Sequence, residues 1–569
     1  MLERDSTTPT EGDHRDESHA HGAATVGTIR GWDEVYDLWV IPLRSCLSLA
    51  ILVCGCAKII GIEDYKLRDA SATEDGPAAT MDAPSDAPFG SALGYIKASN
   101  TGGGDSFASS IALSADGSTL VVGAPFEDSA SVGIDQDGTN NLAGDAGAVY
   151  VFVRSGTSWM QQAYLKASNT GGNDRFGTAV AISADGSAIA VGAIGEDSSS
   201  FGIDGVQTNN NSGDSGAVYL FARAGTTWAQ QAYIKASNTD GDDQFGRSVA
   251  LSQDANTLAV GAILEDSAAT TINGSQADAD PQTQGTNFGA VYVFVRAGAL
   301  WVQQAYMKAS NAENDDQFGA ALALSSEGDT LAVGANREDS SATNTNGDQS
   351  NNSAGNAGAA YVFRRVSGIW AQQVYVKATN TNGDDQFGTA VALAADGNTL
   401  AVGAPFEDGS ASGIDGVNNN NAGNAGAVYI YAQIAATWTV QAYVKASNTG
   451  SNDQFGIALA LVEDGNTLIV GAHTEDSAGD GLVASESDNL ATDAGAAYAF
   501  TRVGSTWQQS QYLKATNSEA GDRYGIAVAV ADGPVFVIGA SLEDSGATGI
   551  GGDQTSNLAT SAGAAYVVQ

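Results

Sequence analysis

Apolar positions in this chain fall into short runs divided by Gly, Asp, Asn and Ser clusters, and no helical period lies between them. One stretch shows the pattern: Phe176 to Ser183, Ala188 to Ala193, Gly216 to Ala222 and Trp228 to Ala236 each read as a strand. The unit recurs. Marked by its tyrosine, it appears at Tyr95, Tyr164, Tyr233, Tyr306, Tyr375, Tyr443 and Tyr512, with a spacing of 68 to 73 residues.

Four short antiparallel strands cannot bury both faces alone, whereas seven such sheets set radially cover one another. The expected fold is therefore all-β: a seven-bladed β-propeller of four-stranded blades. Each blade starts at a Phe-Gly pair and ends on a Tyr-x-Lys strand, so blade one runs from Phe107 to about Lys166. The last unit, from Tyr524, reaches Gln569 after three strands, and Gly94-Tyr95-Ile96-Lys97-Ala98 precedes blade one with no blade of its own. The ring is expected to close by that N-terminal strand completing blade seven. An open solenoid, or independent blades, would leave Tyr95 to Ala98 without a place.

Phe-Gly stands at Phe176-Gly177, Phe245-Gly246, Phe318-Gly319, Phe387-Gly388 and Phe455-Gly456, with Phe107-Ala108 and Tyr524-Gly525 as departures. Gly-Ala-Pro is complete at Gly123-Ala124-Pro125 and Gly403-Ala404-Pro405; elsewhere the proline becomes Ile194, Ile263, Asn336, His473 or Ser541. Over residues 90–569 the chain resembles the FG-GAP family, the propeller repeat of integrin alpha-chain heads and many bacterial surface proteins. The resemblance implies a module that binds a surface protein or polysaccharide.

The formal charge of −42 would repel phosphate, so no nucleic-acid partner is expected. Residues 1–39 are polar, acidic and aperiodic, and read as a disordered or untranslated extension. Residues 40–56 read as a signal peptide: Arg44 leads into the apolar run Cys46 to Cys56, too short to span a bilayer. Its end, Val53-Cys54-Gly55-Cys56, resembles the bacterial lipobox, which implies lipidation at Cys56 and attachment by that anchor alone. Residues 57–89 read as a flexible acidic tether. These features place a monomeric propeller at the bacterial cell envelope, as an outer-membrane lipoprotein or an extracellular protein. All three cysteines lie in the signal segment, so the propeller has no disulfide.

The loop entering strand one and the loop joining strands two and three open on the same face, and both carry repeated acids. An aspartate stands two residues before each aromatic of the Phe-Gly element: Asp105, Asp174, Asp243, Asp316, Asp385, Asp453 and Asp522. A Glu-Asp pair follows strand two: Glu127-Asp128, Glu196-Asp197, Glu265-Asp266, Glu338-Asp339, Glu407-Asp408, Glu475-Asp476 and Glu543-Asp544. Calcium takes oxygens of this kind, and charges so dense need neutralising. Turn-fixing aspartates and a solvated acidic rim explain the same residues.

The integrin Asp-x-Asp-x-Asp-Gly loop is not matched in place. The loop between strands one and two is a tight Asp-Gly turn, as at Asp116-Gly117, and the nearest approach to the pattern is Asp135-Gln136-Asp137-Gly138, with pieces at Asp204, Asp415 and Asp553. Trp159 and its equivalents read as inter-blade packing, with sugar stacking as the alternative. The once-per-blade lysines, such as Lys166, read as ion-pair partners of the acidic loops. His473 has no nucleophile or ligand partner nearby in sequence, so no enzyme is expected. The alternatives are an enzyme acting on extracellular polymer, which would need blade-specific residues lining the central channel, and a passive envelope protein.

Overall fold

The computed structural model describes residues 92–279, 286–417, 419–483, 486, 488–533 and 535–569. The chain divides into two units, Met1–Asp82 and Ala83–Gln569, and every described residue belongs to the second. The extension, the signal segment with Cys56 and the tether lie outside the described residues.

The short apolar runs form seven separate sheets of four antiparallel strands. Blade one comprises Ser110–Leu113, Thr119–Ala124, Ala148–Ser155 and Ser158–Leu165. Blade two comprises Phe176–Ile182, Ala188–Ala193, Ala217–Ala224 and Thr227–Ile234, within two residues of the expected bounds. Among the described residues there is no α-helix; one short 3-10 turn spans Gly481–Val483.

The first strand of each blade neighbours the first strand of the next, and the series returns from Tyr524–Val530 to Ser110–Leu113. The ring therefore closes. Its last sheet runs in the order Ala92–Ile96, Ala564–Val568, Phe536–Ala540, Tyr524–Val530, with Tyr95 opposite Tyr566. The strand from the head of the propeller is the outer strand of blade seven, as its lone Tyr-x-Lys sequence implied.

Core residues lie between blades. Val121, Val149 and Val151 of blade one pack with Phe176, Ile189 and Tyr219 of blade two, and six further clusters repeat the arrangement around the ring.

The two glycines of the repeat explain how the blades approach. A Cβ on Gly192 would stand 2.0 Å from the carbonyl oxygen of Gly246 in the next blade, and Gly246 itself has φ +98°. Backbone meets backbone there, so one position cannot carry a side chain and the other needs a left-handed conformation. Blade one replaces the second glycine with Ala108, at φ 70°.

Tryptophan locks the outer strands. Trp228 is buried, lies under Arg223 at 5.4 Å and donates to Gln162 Oε1 of the previous blade at 2.9 Å. Trp370 and Trp507 bond Gln304 and Gln441 in the same way. The indole-glutamine bonds cross between blades, and a buried indole offers no stacking face to a sugar.

Candidate functional site

The repeated acids form a cage inside each blade. In blade one Glu127 follows the second strand and is only 2% exposed. Its Oε2 accepts from Lys166 Nζ at 2.8 Å and the Ser129 amide at 3.1 Å; its Oε1 accepts from the Tyr164 hydroxyl and Asn100 Nδ2, both at 2.8 Å. Tyr150 donates to Asn100 Oδ1 at 2.6 Å, tying in the loop from the preceding blade.

The ion pair recurs as Glu196 with Lys235, Glu265 with Lys308, Glu338 with Lys377, Glu407 with Lys445, Glu475 with Lys514 and Glu543 with Lys97, at 2.7 to 3.1 Å. The last of these joins the head of the propeller to its final blade. Burial pulls each lysine below its ordinary pKa while its glutamate opposes that shift.

The aspartates before the Phe-Gly pairs are buried too. Each accepts the amide of the residue three places upstream, as Asp105 does from Gly102 at 2.8 Å and Asp385 from Asn382 at 3.0 Å. Burial, reinforced by the neighbouring glutamate, raises their carboxyls to about 6 for Asp105, about 7 for Asp174, Asp453 and Asp522, and about 8 for Asp243, Asp316 and Asp385.

The second acid of each Glu-Asp pair closes the loop between strands two and three. Asp128, Asp197, Asp266, Asp339, Asp408, Asp476 and Asp544 accept an amide near its far end at 2.7 to 3.0 Å. The pieces of the cation-like pattern are capping residues. Asp135, Asp204 and Asp415 accept the amide of the outer-strand tyrosine at 2.9 to 3.0 Å. Asp137 and Asp553 close turns on Thr139 and Thr555, bonds that hold their carboxyls below the usual range.

The repeated carboxylates do not fit a shared calcium site. Protein donors already fill the glutamate oxygens, and each aspartate set serves a different turn. Among the described residues no group of three or more His, Cys, Asp or Glu side chains is placed to hold a metal ion. Nor do the glutamates make a solvated rim: the organising centre that such long polar loops require is the buried Glu-Lys pair.

Blade-specific chemistry lies near the axis, at both ends of the inner strands. At one end the turns between strands one and two are linked head to tail by backbone bonds from Ala115 to Ala184, Ala184 to Gln253, Gln253 to Ser326, Ser326 to Ala395, Ala395 to Glu463 and Asp532 to Ala115. At the remaining junction the Asp532 carboxyl bears on Glu463, and Gln253 Nε2 donates to Glu463. Burial and Asp532 raise the Glu463 carboxyl to about 7. A cleft of about 480 Å³ opens here, lined by Asp396, Glu463, Asp464 and Asp532 among others.

At the opposite end His473 is 7% exposed, and burial beside Arg523 lowers its pKa to about 4. Sequence reasoning singled out His473 but missed Arg523 beside it and the Glu463-Asp532 pair. All of these are departures from the repeat at their positions, and that was the available signal.

The geometry defines a seven-bladed β-propeller whose repeated polar residues build the blades. The chain belongs to the FG-GAP repeat family: residues 159–221, 228–294, 301–363, 370–431 and 438–500 match the repeat. No curated protein matches it. Among solved structures it is similar to a putative 6-phosphogluconolactonase from Bacteroides uniformis, with 10% identity, 72% of this chain and 86% of that one covered and a TM-score of 0.40. It is similar to the β-propeller domain of Cps50 (Swd1) from Myceliophteria thermophila, with 8% identity, coverage of 83% and 98% and a TM-score of 0.43. It is also similar to the periplasmic gluconolactonase PpgL of Pseudomonas aeruginosa, with 13% identity, coverage of 72% and 86% and a TM-score of 0.39.

Proposed function

We propose that this chain is a surface-attached binding module, secreted, held to the bacterial envelope by a lipid on Cys56, and presenting its ring for adhesion to a protein or polysaccharide. One observation carries this reading. The loops between strands two and three rise from one face and hold exposed apolar side chains, including Val132, Leu142, Phe201, Val206, Val417 and Leu558. Large apolar groups projecting from otherwise polar loops on a single face suit a docking surface, whereas the sevenfold acids are committed to the blades.

The test is binding of the full chain to intact bacterial surfaces, untreated, protease-treated or periodate-treated. The expected result is binding that one treatment removes and that Leu142→Asp, Phe201→Asp and Leu558→Asp, combined, weaken at least about tenfold. Equal binding by wild type and variant would sink the reading.

An enzyme acting on extracellular polymer has one observation in its favour, the Glu463-Asp532 pair in its cleft, since two interacting carboxyls suit general acid and base work. Polymer cleavage abolished by Glu463→Gln would establish that reading.

A further inference from the structure

The propeller's arginines divide by partner. Arg154, Arg223, Arg296, Arg365 and Arg502 lie over tryptophans of the outer strands, and Arg364 reaches Asp329 at 3.9 Å. Arg175, Arg247, Arg337 and Arg523 remain. Among the described residues none of the four has a carboxylate within ion-pair distance, although acids outnumber bases 66 to 24 in the chain. Unpaired cations are not expected in so acidic a protein unless something else is to pair with them.

All four stand at the end of the blades where the inner strand begins and its neighbour ends. Arg175 and Arg523 immediately precede the aromatic-Gly pair in blades two and seven, and Arg337 is the second residue after Gly-Ala in blade four. The residue before each aromatic meets the two residues that follow Gly-Ala in the preceding blade, as three contacts show. Arg175 lies over the Phe126 ring at 5.7 Å, Asn336 donates to Gln386 at 3.4 Å, and Arg523 bears on His473. The two slots thus alternate as a rim, and neither holds a carboxylate in any blade.

Arg247 adds a charge on the first strand of blade three, Phe245–Leu251. It occupies the bulge that shifts register between Phe245 and Ser248, and its amide bonds Gln244 O at 3.1 Å, which brings it beside the rim. Its side chain is solvent-exposed.

A second observation falls at the same place. Arg175 Nε, Asn336 Oδ1 and His473 Nδ1 are buried polar atoms with no hydrogen-bond partner, and His473 is more than nine-tenths buried. Buried polar atoms are ordinarily paired, and these three leave hydrogen-bonding capacity open along the rim.

We infer that the axial mouth ringed by Arg175, Arg247, Arg337 and Arg523 is a binding site for a compact ligand carrying a single carboxylate or phosphate on an otherwise uncharged body. Guanidinium groups pair with either anion, and Phe126 and Phe406, both half-buried at the rim, offer apolar faces to the rest of the ligand. The surrounding negative charge sets the class: it repels a polyanion, while one anionic group is held locally by the arginines. The site goes beyond the adhesion reading and stands whether or not the ring is attached to a surface.

The test is calorimetric titration of the full chain at fixed ionic strength with D-glucuronate, inorganic phosphate, D-glucose and heparin. Glucuronate, phosphate or both are expected to bind, and the stronger identifies the anion; glucose and heparin are expected not to. Arg247→Gln and Arg523→Gln should each weaken binding at least about tenfold, Arg247→Lys should retain most of it, and Arg364→Gln should leave it unchanged. These side chains are exposed, so equal melting midpoints will show that the variants fold. Absence of binding by both anions, unchanged binding in the Arg247→Gln, Arg523→Gln double variant, or heparin binding more tightly than glucuronate would overturn the inference.

Discussion

Lys308 and Glu265 are at most 1% exposed and 2.7 Å apart, a pair whose attraction has to offset the desolvation of both charges. Such a pair is weak support for net stability, but each half depends on the other. Lys308→Met should lower the unfolding free energy by about 3–5 kcal/mol in a denaturant titration, and adding Glu265→Gln should recover part of the loss. A single variant as stable as wild type would mean the pair is not buried.

The aspartate at the start of each blade has the opposite character. Asp385, raised to about 8, binds its proton more tightly in the native state than in the unfolded chain. The stability lent by protonation is therefore complete below the unfolded value near 3.8 and is lost as pH rises through about 8. The melting midpoint should fall between pH 5 and pH 8. Asp385→Asn, which keeps an acceptor for the Asn382 amide, should stabilise by about 1–3 kcal/mol at pH 8 and by much less at pH 5. A variant less stable than wild type at pH 8 would contradict the cause assigned to the shift.

At this scale the sequence revealed pairing but not burial. A lysine recurring once per blade opposite a recurring acid announced the ion pairs. Nothing in Glu127-Asp128 says that the first carboxylate turns inward to a lysine from the outer strand while the second caps a loop. That depends on which side of the Gly-Ala strand end faces the sheet.

Among the elements, the strand Ala92–Ile96 carries the largest consequence. It pairs along Ala564–Val568, and Lys97 beyond it reaches Glu543 at 2.7 Å. Removing residues through Ala98 should open blade seven, expose a long sheet edge and lower the melting midpoint by about 5 °C or more, with aggregation on heating. An unchanged midpoint would show that the ring does not depend on this closure. The closure was legible because a Tyr-x-Lys strand stood without a blade and a blade stood without its outer strand. The glycine contact was legible only as a motif. Its cause, the meeting of Gly192 and Gly246 backbones from adjacent blades, lies 54 residues apart in sequence and appears only in three dimensions.

Over the whole molecule, sevenfold repetition and function separate. What repeats builds blades; among what departs from the repeat, four arginines stand at one end of the inner strands and the Glu463-Asp532 pair at the other. Sequence reading follows repeats well and isolated departures poorly, because Arg247 in a slot otherwise held by Ser, Thr, Ala or Ile looks like drift until the ring sets its strand end on the same side as those of Arg175 and Arg523.

The central claim is that the repeated acids serve architecture. The most direct test is thermal unfolding of the full chain with calcium, with magnesium and with a chelator, at fixed ionic strength. A ligand bound only by the folded ring must raise the midpoint. With the glutamates held by lysine, tyrosine and asparagine, the account predicts that calcium and magnesium leave the midpoint within about 1 °C of each other and that chelator has no effect. A large calcium-specific rise would contradict it and restore these loops as metal sites.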